Sequence, residues 1–341
     1  MTQASPCSLL AQPDCPRLGF LGVGWIGRHR LDALARSGAG CVAAIADTAA
    51  EETARAAAIA PEAAIGSTLD DLLAAGVDGI VIATPSALHA EQAVAALEAG
   101  AAVFCQKPLA RTASEARRVV DAARAADRLL GVDLSYRQLA ATLAARALVS
   151  SGSLGRVYAA DLEFHNAYGP DKAWFRDPAL SGGGCVMDLM LHLVDLALWM
   201  LDDPSVADVS SRLYAGGSRI AGRAQQVEDF AVAQLDLAGG GLVRLASSWN
   251  LPAGSDAVIG ATFYGTKGGV VVRNVNGSFY DFTADLLVGT ARTRLASPPD
   301  DWGGRALVAW ARTLALDPGF DRGATQYVRL AEVLDRIYAA A

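Results

Sequence analysis

Among the side chains of this 341-residue chain that can move protons or stabilise an oxyanion, Lys107, Asp188 and His192 stand in unusual sequence contexts. Lys107 directly follows a short apolar run and precedes a proline, an unusual place for a residue that favours solvent, although an ordinary surface lysine also fits that pattern. Asp188 and His192 are four residues apart in an apolar segment, and Asp195 follows three residues later. On a helix these three share one face. An ammonium, a carboxylate and an imidazole together predict general acid–base chemistry.

Two other interpretations of His192 stay open at this stage. A buried histidine with satisfied hydrogen bonds is a common core residue. A metal site needs a third ligand, and no such residue stands at a recognisable spacing from Asp188 and His192. We therefore predict no bound metal. The glycines at 182–184, just before this segment, allow it to begin close against a ligand.

The element that positions these groups begins at a glycine-rich turn, Gly22-Val23-Gly24-Trp25-Ile26-Gly27. An apolar run precedes the turn, a helical stretch follows at 26–36, and a second apolar run at 42–46 ends in Asp47. This order is typical of a dinucleotide-binding turn. Gly22 permits the tight turn, Gly24 lets the backbone approach a pyrophosphate, and Gly27 lets helix and strand pack closely. The phosphates then bind at the helix N-terminus.

Asp47 indicates which dinucleotide is bound. Its carboxylate can accept hydrogen bonds from ribose hydroxyls and would repel a 2′-phosphate. Residues 48–52 contain no lysine or arginine to hold that phosphate. The sequence therefore favours NAD over NADP, unless Arg28 or a distant basic side chain folds into reach.

Two further segments follow predicted strands, where ligands bind in such sheets. They are Ala83-Thr84-Pro85-Ser86-Ala87-Leu88-His89 and Cys105-Gln106-Lys107-Pro108-Leu109. A helix cap is an equally good interpretation of Ser86. The predicted cofactor contacts are Gly22, Gly24, Trp25, Ile26, Gly27, Asp47, Thr84, Pro85, Ser86, His89, Gln106 and Lys107.

Alternating short strands and helices up to about residue 135 predict an α/β fold that begins with a doubly wound parallel sheet. The expected strands of this part lie at 17–22, 41–47, 79–84, 102–105 and 129–134. Later strands separated by short glycine-containing turns predict a second, α+β domain with a mostly antiparallel sheet. The expected strands there lie at 156–165, 206–214, 227–237, 241–249, 257–264 and 269–273. We expect a tail at 1–16, a Rossmann domain at 17–136 and a substrate-binding domain at 137–341.

Composition excludes several classes of protein. A net charge of −7 and a high hydrophobic content of 52% argue against a nucleic-acid partner or a disordered chain. No uninterrupted apolar run is long enough for a membrane span, and the first 16 residues lack the features of a signal peptide. Five scattered cysteines do not resemble a disulfide framework. We expect a cytoplasmic protein without a membrane partner.

The motifs, in their order, resemble those of the Gfo/Idh/MocA family. They are GVGWIG, ATPSALH, QKPL, SYR, SLGRV, SGGGCVMDLMLHLVD and GTKGG. The resemblance implies a Rossmann domain, then a domain with a large open sheet that commonly forms homodimers or homotetramers. It also implies that Lys107, Asp188 and His192 are the catalytic group. The family usually has glutamate where this chain has Gln106, and glycine where it has Met190.

The resemblance further implies that the substrate is a secondary alcohol of a sugar, cyclitol or polyol. In this hypothesis Lys107 stabilises the alkoxide while Asp188 holds the ring of His192, and either Lys107 or His192 is the base. The predicted substrate contacts are Lys107, Tyr136, Arg137, His165, Asn166, Lys172, Trp174, Asp188 and His192. A structural ion pair is an equal interpretation of Arg137, and core packing is an alternative for Trp174 and Phe175.

Two other activities remain open beside a net NAD-dependent dehydrogenase. Some relatives retain NAD and use transient oxidation to cleave or epimerise a glycoside. A few bind NAD and a sugar as regulators without turnover. The presence of Lys107, Asp188 and His192 argues against a regulator, which needs no base.

Overall fold

A six-stranded parallel sheet forms the first part of the fold. The structure is a computed structural model that describes residues 15–223 and 226–341. The strands are β1 (Arg17–Leu21), β2 (Cys41–Ala46), β3 (Ala64–Gly66), β4 (Gly79–Ile82), β5 (Ala102–Cys105) and β6 (Leu130–Val132). The intervening helices are α1 (Trp25–Ser37), α2 (Ala50–Ala57), α3 (Leu69–Ala74), α4 (Ser86–Glu98) and α5 (Ala113–Ala126). The strand order β3-β2-β1-β4-β5-β6 is that of a Rossmann sheet, which confirms the prediction.

Local signals explain several boundaries of these helices. Thr68 caps α3 in a reciprocal box with Asp71, and Gly100 ends α4 with a φ of +89°. The Thr112 side chain accepts the Glu115 N–H at the start of α5. The Glu115 carboxylate accepts the N–H of Arg111 rather than completing a box. Strand β3 was not predicted, because three residues are too few to show a period.

The second sheet has nine strands and is mostly antiparallel, as predicted. Its strands are β7 (Val157–Asn166), β8 (Val206–Ala215), β9 (Ser218–Ile220), β10 (Phe230–Leu237), β11 (Leu242–Ser248), β12 (Ala257–Gly265), β13 (Gly269–Asn274), β14 (Phe282–Val288) and β15 (Ala291–Ala296). Their order is β15-β14-β13-β12-β7-β11-β10-β8-β9, and only β7 and β11 pair in parallel. The sequence missed β9, β14 and β15; the exposed, arginine-containing β15 shows no apolar alternation.

Helices line one face of the second sheet. Helix α6 (Ala140–Ser150) packs on β13, β14 and β15. The short α7 (Pro178–Ser181) contacts α4 instead, and a π-helical turn at Val186–Met190 then leads into α8 (Leu191–Met200), which packs on β7 and β11. The sequence placed Asp188, His192 and Asp195 on one face of a helix, but almost every side chain of this segment, on all its faces, is buried. The stretch Pro178–Met200 is long and apolar enough to cross a membrane, yet 89% of its apolar window lies inside the fold. It is a core segment of this structure.

Two C-terminal helices, α9 (Arg305–Leu316) and α10 (Thr325–Ala339), complete the fold. Helix α9 joins the core of the first sheet, where Leu307, Trp310 and Leu314 pack with Leu18 and Phe20. The division at residue 136 stays a prediction, with the correction that this late helix covers the first sheet. Helix α10 packs against both α5 and α8 and so links the two parts.

The predicted tail at 1–16 falls mainly on residues 1–14, which lie outside the described residues. Pro16 is described, and its carbonyl oxygen accepts the Cys41 N–H at 2.9 Å. The last residues of the predicted tail therefore contact the start of β2.

Candidate active site

A cleft of about 570 Å³ lies where the carboxyl ends of the parallel strands face the second sheet and its loops. Thirteen of the predicted site residues line it. These are Trp25, Ile26, Thr84, Pro85, Ser86, His89, Gln106, Lys107, Tyr136, Lys172, Trp174, Asp188 and His192. Because β4, β5 and β6 end at the same edge of the sheet, the loops after them meet here.

The glycine turn has the geometry that a dinucleotide requires. Gly22 has a φ of +86°, and a Cβ there would lie 2.7 Å from the Ala83 carbonyl carbon. A Cβ on Gly27 would collide with the Gly22 carbonyl oxygen. Gly24 is different, because a Cβ there would meet only the ammonium of Lys172, at 3.5 Å. Its outer side therefore faces space that a pyrophosphate can fill.

Asp47 supports this turn from the end of β2. Its two carboxylate oxygens accept the N–H groups of Val23 (2.8 Å) and Ala49 (2.9 Å). Each oxygen keeps a further lone pair for a ribose hydroxyl. Arg28, the cation that the sequence left as a candidate for binding the NADP phosphate, pairs with Glu52 instead. The residues present therefore fit NAD.

Lys107 and Asp188 meet across the two parts of the fold. The lysine ammonium donates to Asp188 Oδ1 at 2.6 Å and to the Asp188 backbone oxygen at 2.8 Å. The second carboxylate oxygen, Oδ2, accepts the indole N–H of Trp249 at 3.0 Å. Since an ammonium has three donors, one remains for a ligand in the cleft. Trp249 is 2% exposed, and its indole N–H orients Asp188.

His192 lies next to this pair without a hydrogen bond to Asp188, so the prediction that Asp188 holds its ring is wrong. Within the described residues its Nδ1 is buried and has no partner. The ring packs against Tyr136, with centroids 4.8 Å apart. Burial, and then the positive charges of Lys107 and Arg30, hold the pKa of His192 well below its usual value. The imidazole is therefore neutral at neutral pH and can accept a proton.

The floor of the cleft contains a charged cluster that sequence reasoning missed. Arg30 in α1 donates from Nε to Asp133 Oδ2 at 2.6 Å, and both side chains are almost fully buried. The Gln106 amide donates to the same oxygen. A glutamate at 106 would place a second carboxylate against Asp133. No local motif marks Arg30 or Asp133, because their meeting depends on strand order.

A buried carboxylate also holds the start of the Asp188 segment. Glu228 is 0% exposed, and its Oε1 accepts the N–H groups of Gly184 (2.9 Å) and Val186 (2.8 Å) and the hydroxyl of Tyr338 (2.8 Å). The glycine at 184 is required because a Cβ there would collide with the Glu228 backbone. This contact places Asp188, four residues later, at the cleft.

Two predicted cofactor contacts have internal partners. Both ring nitrogens of His89 contact carbonyl oxygens, Nδ1 that of Pro108 at 2.6 Å and Nε2 that of Thr84 at 2.7 Å. Burial lowers its pKa, and the ring braces the two loops rather than offering a free polar group. The Thr84 hydroxyl donates to Gln92 at 2.6 Å. Ser86 does not cap α4, because Pro85 occupies the cap position without a side-chain bond.

Three predicted substrate contacts do not line the cleft. Arg137 forms a two-point ion pair with Asp195 and lies over the ring of Trp199. These contacts favour a structural ion pair over a substrate contact for Arg137. His165 contacts Ser248 at 2.8 Å and stacks on Phe230. Asn166 ends β7, and its side-chain oxygen is buried. In their place Tyr280 and Trp302, from loops far along the chain, complete the aromatic wall.

Comparison with known proteins gives a consistent result. Residues 17–134 match the family model described as an oxidoreductase family with an NAD-binding Rossmann fold, and residues 142–271 match the GFO/IDH/MocA C-terminal domain. The chain is 32% identical over 265 residues to 1,5-anhydro-D-fructose reductase of Ensifer adhaerens, covering 76% of each chain. The chain belongs to the Gfo/Idh/MocA family.

Two further proteins are similar to this chain, one by sequence and one by structure. Inositol 2-dehydrogenase of Acidiphilium cryptum is 32% identical over 201 residues, and the match spans 56% of each chain. The solved structure of a levoglucosan dehydrogenase in complex with NADH and L-sorbose superposes with a TM-score of 0.78 at 20% identity. It covers 95% of this chain and 97% of that one, which shows a shared fold.

Proposed function

We propose that this protein is an NAD-dependent dehydrogenase that oxidises a secondary alcohol of a sugar, cyclitol or related polyol, or reduces the matching ketone. The observation that carries the proposal is the Lys107–Asp188 pair, with neutral His192 beside it, in the same cleft as the glycine turn. The relatives named as reductases and dehydrogenases of sugars and inositol support this class of substrate.

The residues that would hold NAD are the glycine turn, Asp47 and the loops that follow β4 and β5. When bound, NAD supplies the hydride acceptor or donor of the reaction. The N–H groups at the start of α1 would bind the phosphates, since its first turn contains no acidic residue. Asp47 would bind ribose hydroxyls with its remaining lone pairs.

Lys107 and His192 divide the proton chemistry between them in this proposal. The free donor of Lys107 stabilises negative charge that develops on the substrate oxygen. His192 is neutral, so it can accept the hydroxyl proton during oxidation and return it during reduction. Asp188 holds the ammonium at its position and balances its charge. A His192→Ala variant with near-normal turnover would exclude the ring as the base.

The walls of the cleft suit a ring-shaped polyol. Trp174 stacks on Phe175 with centroids 3.8 Å apart, and Tyr136, Tyr280 and Trp302 form a second aromatic group. Aromatic faces pack against the apolar face of a sugar, while a few polar groups orient its hydroxyls. Tyr136, Trp174, Lys107, Asp188 and His192 therefore remain the proposed substrate contacts.

The test is the appearance of NADH when purified protein and NAD are mixed with cyclitols, aldoses, aldonic acids or glycosides, with mass spectrometry of the products in parallel. NADH formation on one class establishes the dehydrogenase and its substrate class. A product without NADH indicates the redox-neutral alternative. If neither NADH nor a product forms although NAD binding is measured, turnover of these substrate classes is contradicted.

We also propose a homodimer or homotetramer that associates through the second sheet. The face of this sheet opposite α6 and α8 carries an open, polar depression about 670 Å³ in volume, and Tyr158 and Tyr264 are exposed on the sheet. Light scattering coupled to size-exclusion chromatography tests this, with Tyr264→Asp expected to lower the measured mass.

We also propose a cytoplasmic location. It is supported by the buried, free thiols of Cys105 and Cys185 and tested by cell fractionation.

A further inference from the structure

The chain contains three lysines, Lys107, Lys172 and Lys267, against 26 arginines. Arginine serves almost every surface ion pair in the described part of the chain. Two of the three lysines nevertheless line one cleft. Lys107 is explained by its bonds to Asp188, whereas Lys172 belongs to the opposite wall and has no salt bridge among the described residues. Its position therefore calls for a separate explanation.

The ammonium of Lys172 lies over the glycine turn of the first sheet. Its nitrogen is 3.5 Å from the position of a Cβ on Gly24, and no other atom within 4 Å occupies that side of the glycine. Gly24 is the position where a dinucleotide pyrophosphate must approach the backbone. A lysine is suited to this place, because it binds phosphate as a point charge with rotatable donors.

The surroundings of Lys172 favour an anion at the same point. Helix α1 begins there with no acidic residue in its first turn and no side-chain cap on Gly24. Its unpaired N–H groups and its macrodipole place partial positive charge beside the ammonium. Asp171 lines the same cleft, but no described carboxylate lies within 4.0 Å of the Lys172 ammonium. A phosphate between the ammonium and the helix N-terminus would be attracted by both positive groups.

The backbone of Lys172 is held in place although its side chain is exposed. Its carbonyl oxygen accepts the N–H of Phe175 at 3.2 Å, at the start of the 3₁₀ turn Ala173–Arg176. Phe175 in turn packs edge-on against Trp249, the residue that orients Asp188. The loop that carries Lys172 is thus packed against the catalytic pair.

We propose that Lys172 is a cofactor-binding residue, which reaches from the second domain to the NAD pyrophosphate over Gly24. This replaces the substrate contact that the sequence predicted for it. Both domains would then hold the cofactor.

Lysine-selective acylation followed by peptide mass spectrometry tests this, because Lys267 is an exposed internal control outside the cleft. We expect NAD and ADP, which contain a pyrophosphate, to slow acylation of Lys172 about tenfold, as expected from one charge-assisted hydrogen bond. Adenosine should not protect it, and no ligand should change Lys267. Equal acylation of Lys172 with and without bound NAD would overturn the proposal.

Binding measurements on variants separate the pyrophosphate from an acidic substrate. Lys172→Gln should weaken ADP binding about tenfold and leave adenosine binding unchanged, while Lys172→Arg should stay near the parent protein and Lys267→Gln should match it. An equal loss for ADP and adenosine would overturn the proposal by showing a general distortion. A raised KM for substrate with unchanged ADP affinity would overturn it in favour of a substrate contact.

Discussion

Two ion pairs on one buried segment differ in their exposure and in their hydrogen bonds. Asp188 in the π-helical turn pairs with Lys107, and Asp195 in α8 pairs with Arg137. The side chains of the first pair are 21% and 16% exposed at the cleft, and its ammonium keeps a free donor. In the second pair Asp195 is 2% exposed and Arg137 is bound by Asp195, Gln326 and the Trp199 ring. We infer that the first pair acts on the substrate, because its ammonium keeps a donor at the cleft that also contains the glycine turn. The second pair lies outside that cleft and holds structure.

Substitution of Lys107 should give the largest effect and should act on turnover. Lys107→Met removes the charge that stabilises a developing oxyanion, so we expect kcat to fall about 10²–10⁴-fold. Stability should change by no more than about 1 kcal/mol, since the pair is partly exposed. NADH formation and urea unfolding measure the two quantities. Lys267→Met is the matched control, and a Lys107→Met enzyme with parental kcat would contradict the assignment.

Substitution of Arg137 should give the opposite result. Arg137→Leu leaves the Asp195 carboxylate buried without a cation and should lower the free energy of unfolding by about 3 kcal/mol. The kcat of the folded enzyme should not change. The double variant Arg137→Leu/Asp195→Leu should recover most of the stability, because both charges are gone. Loss of kcat with intact stability would restore Arg137 as a substrate contact.

A third buried carboxylate, that of Asp133, accepts hydrogen bonds from the cation Arg30 and from the neutral amide of Gln106. Gln106→Glu replaces that donor by a second carboxylate, and we expect a loss of about 1–3 kcal/mol at pH 7. The loss should be smaller at pH 5, since protonation of one carboxyl removes the repulsion. Urea unfolding at both pH values measures this, with Gln106→Met as the uncharged control. A pH-independent loss would show that charge is not the cause.

His192 lies between the two ion pairs and has no acidic hydrogen-bond partner among the described residues. Of the four substitutions considered, that of His192 should have the smallest effect, and it should act on stability in acid. All four histidines have lowered pKa values, each chiefly through burial. The unfolded chain therefore binds more protons below about pH 6.5, and the free energy of unfolding falls as the pH decreases from there. His192→Gln should reduce this fall by about 1 kcal/mol per pH unit. The measurement is urea unfolding between pH 8 and 5; an acid slope equal to that of the parent protein would contradict the lowered pKa.

Local patterns predicted the parts of the site that a single segment carries. The glycine turn, Asp47 and Lys107 could be located because strand, turn and helix follow each other within a few residues. Helical spacing correctly placed Asp188 and His192 at one cleft but wrongly grouped Asp195 with them. The π-helical turn and the partner Arg137, 58 residues away, carry no local signal.

The floor and walls of the site could not be predicted for a related reason. Arg30 and Asp133 meet only because β1 and β6 belong to one sheet, and Trp302 arrives from a loop near the end of the chain. The role of Trp249 depends on an indole N–H that reaches Asp188 from the residue directly after β11. Such contacts depend on the order of the strands in the sheet, which no single segment of the sequence reveals.

The return of α9 to the first sheet also affects how the protein is made. Trp310 fills the space over Gly79 and Gly131, where a Cβ would lie 2.8 and 2.5 Å from its ring. During translation the ribosome must add about 180 residues after β6 before this helix emerges, which takes roughly 10–35 s at usual rates. The nucleotide-binding sheet therefore stays open on one side until α9 has been made, and this late helix decides whether the core of the sheet closes.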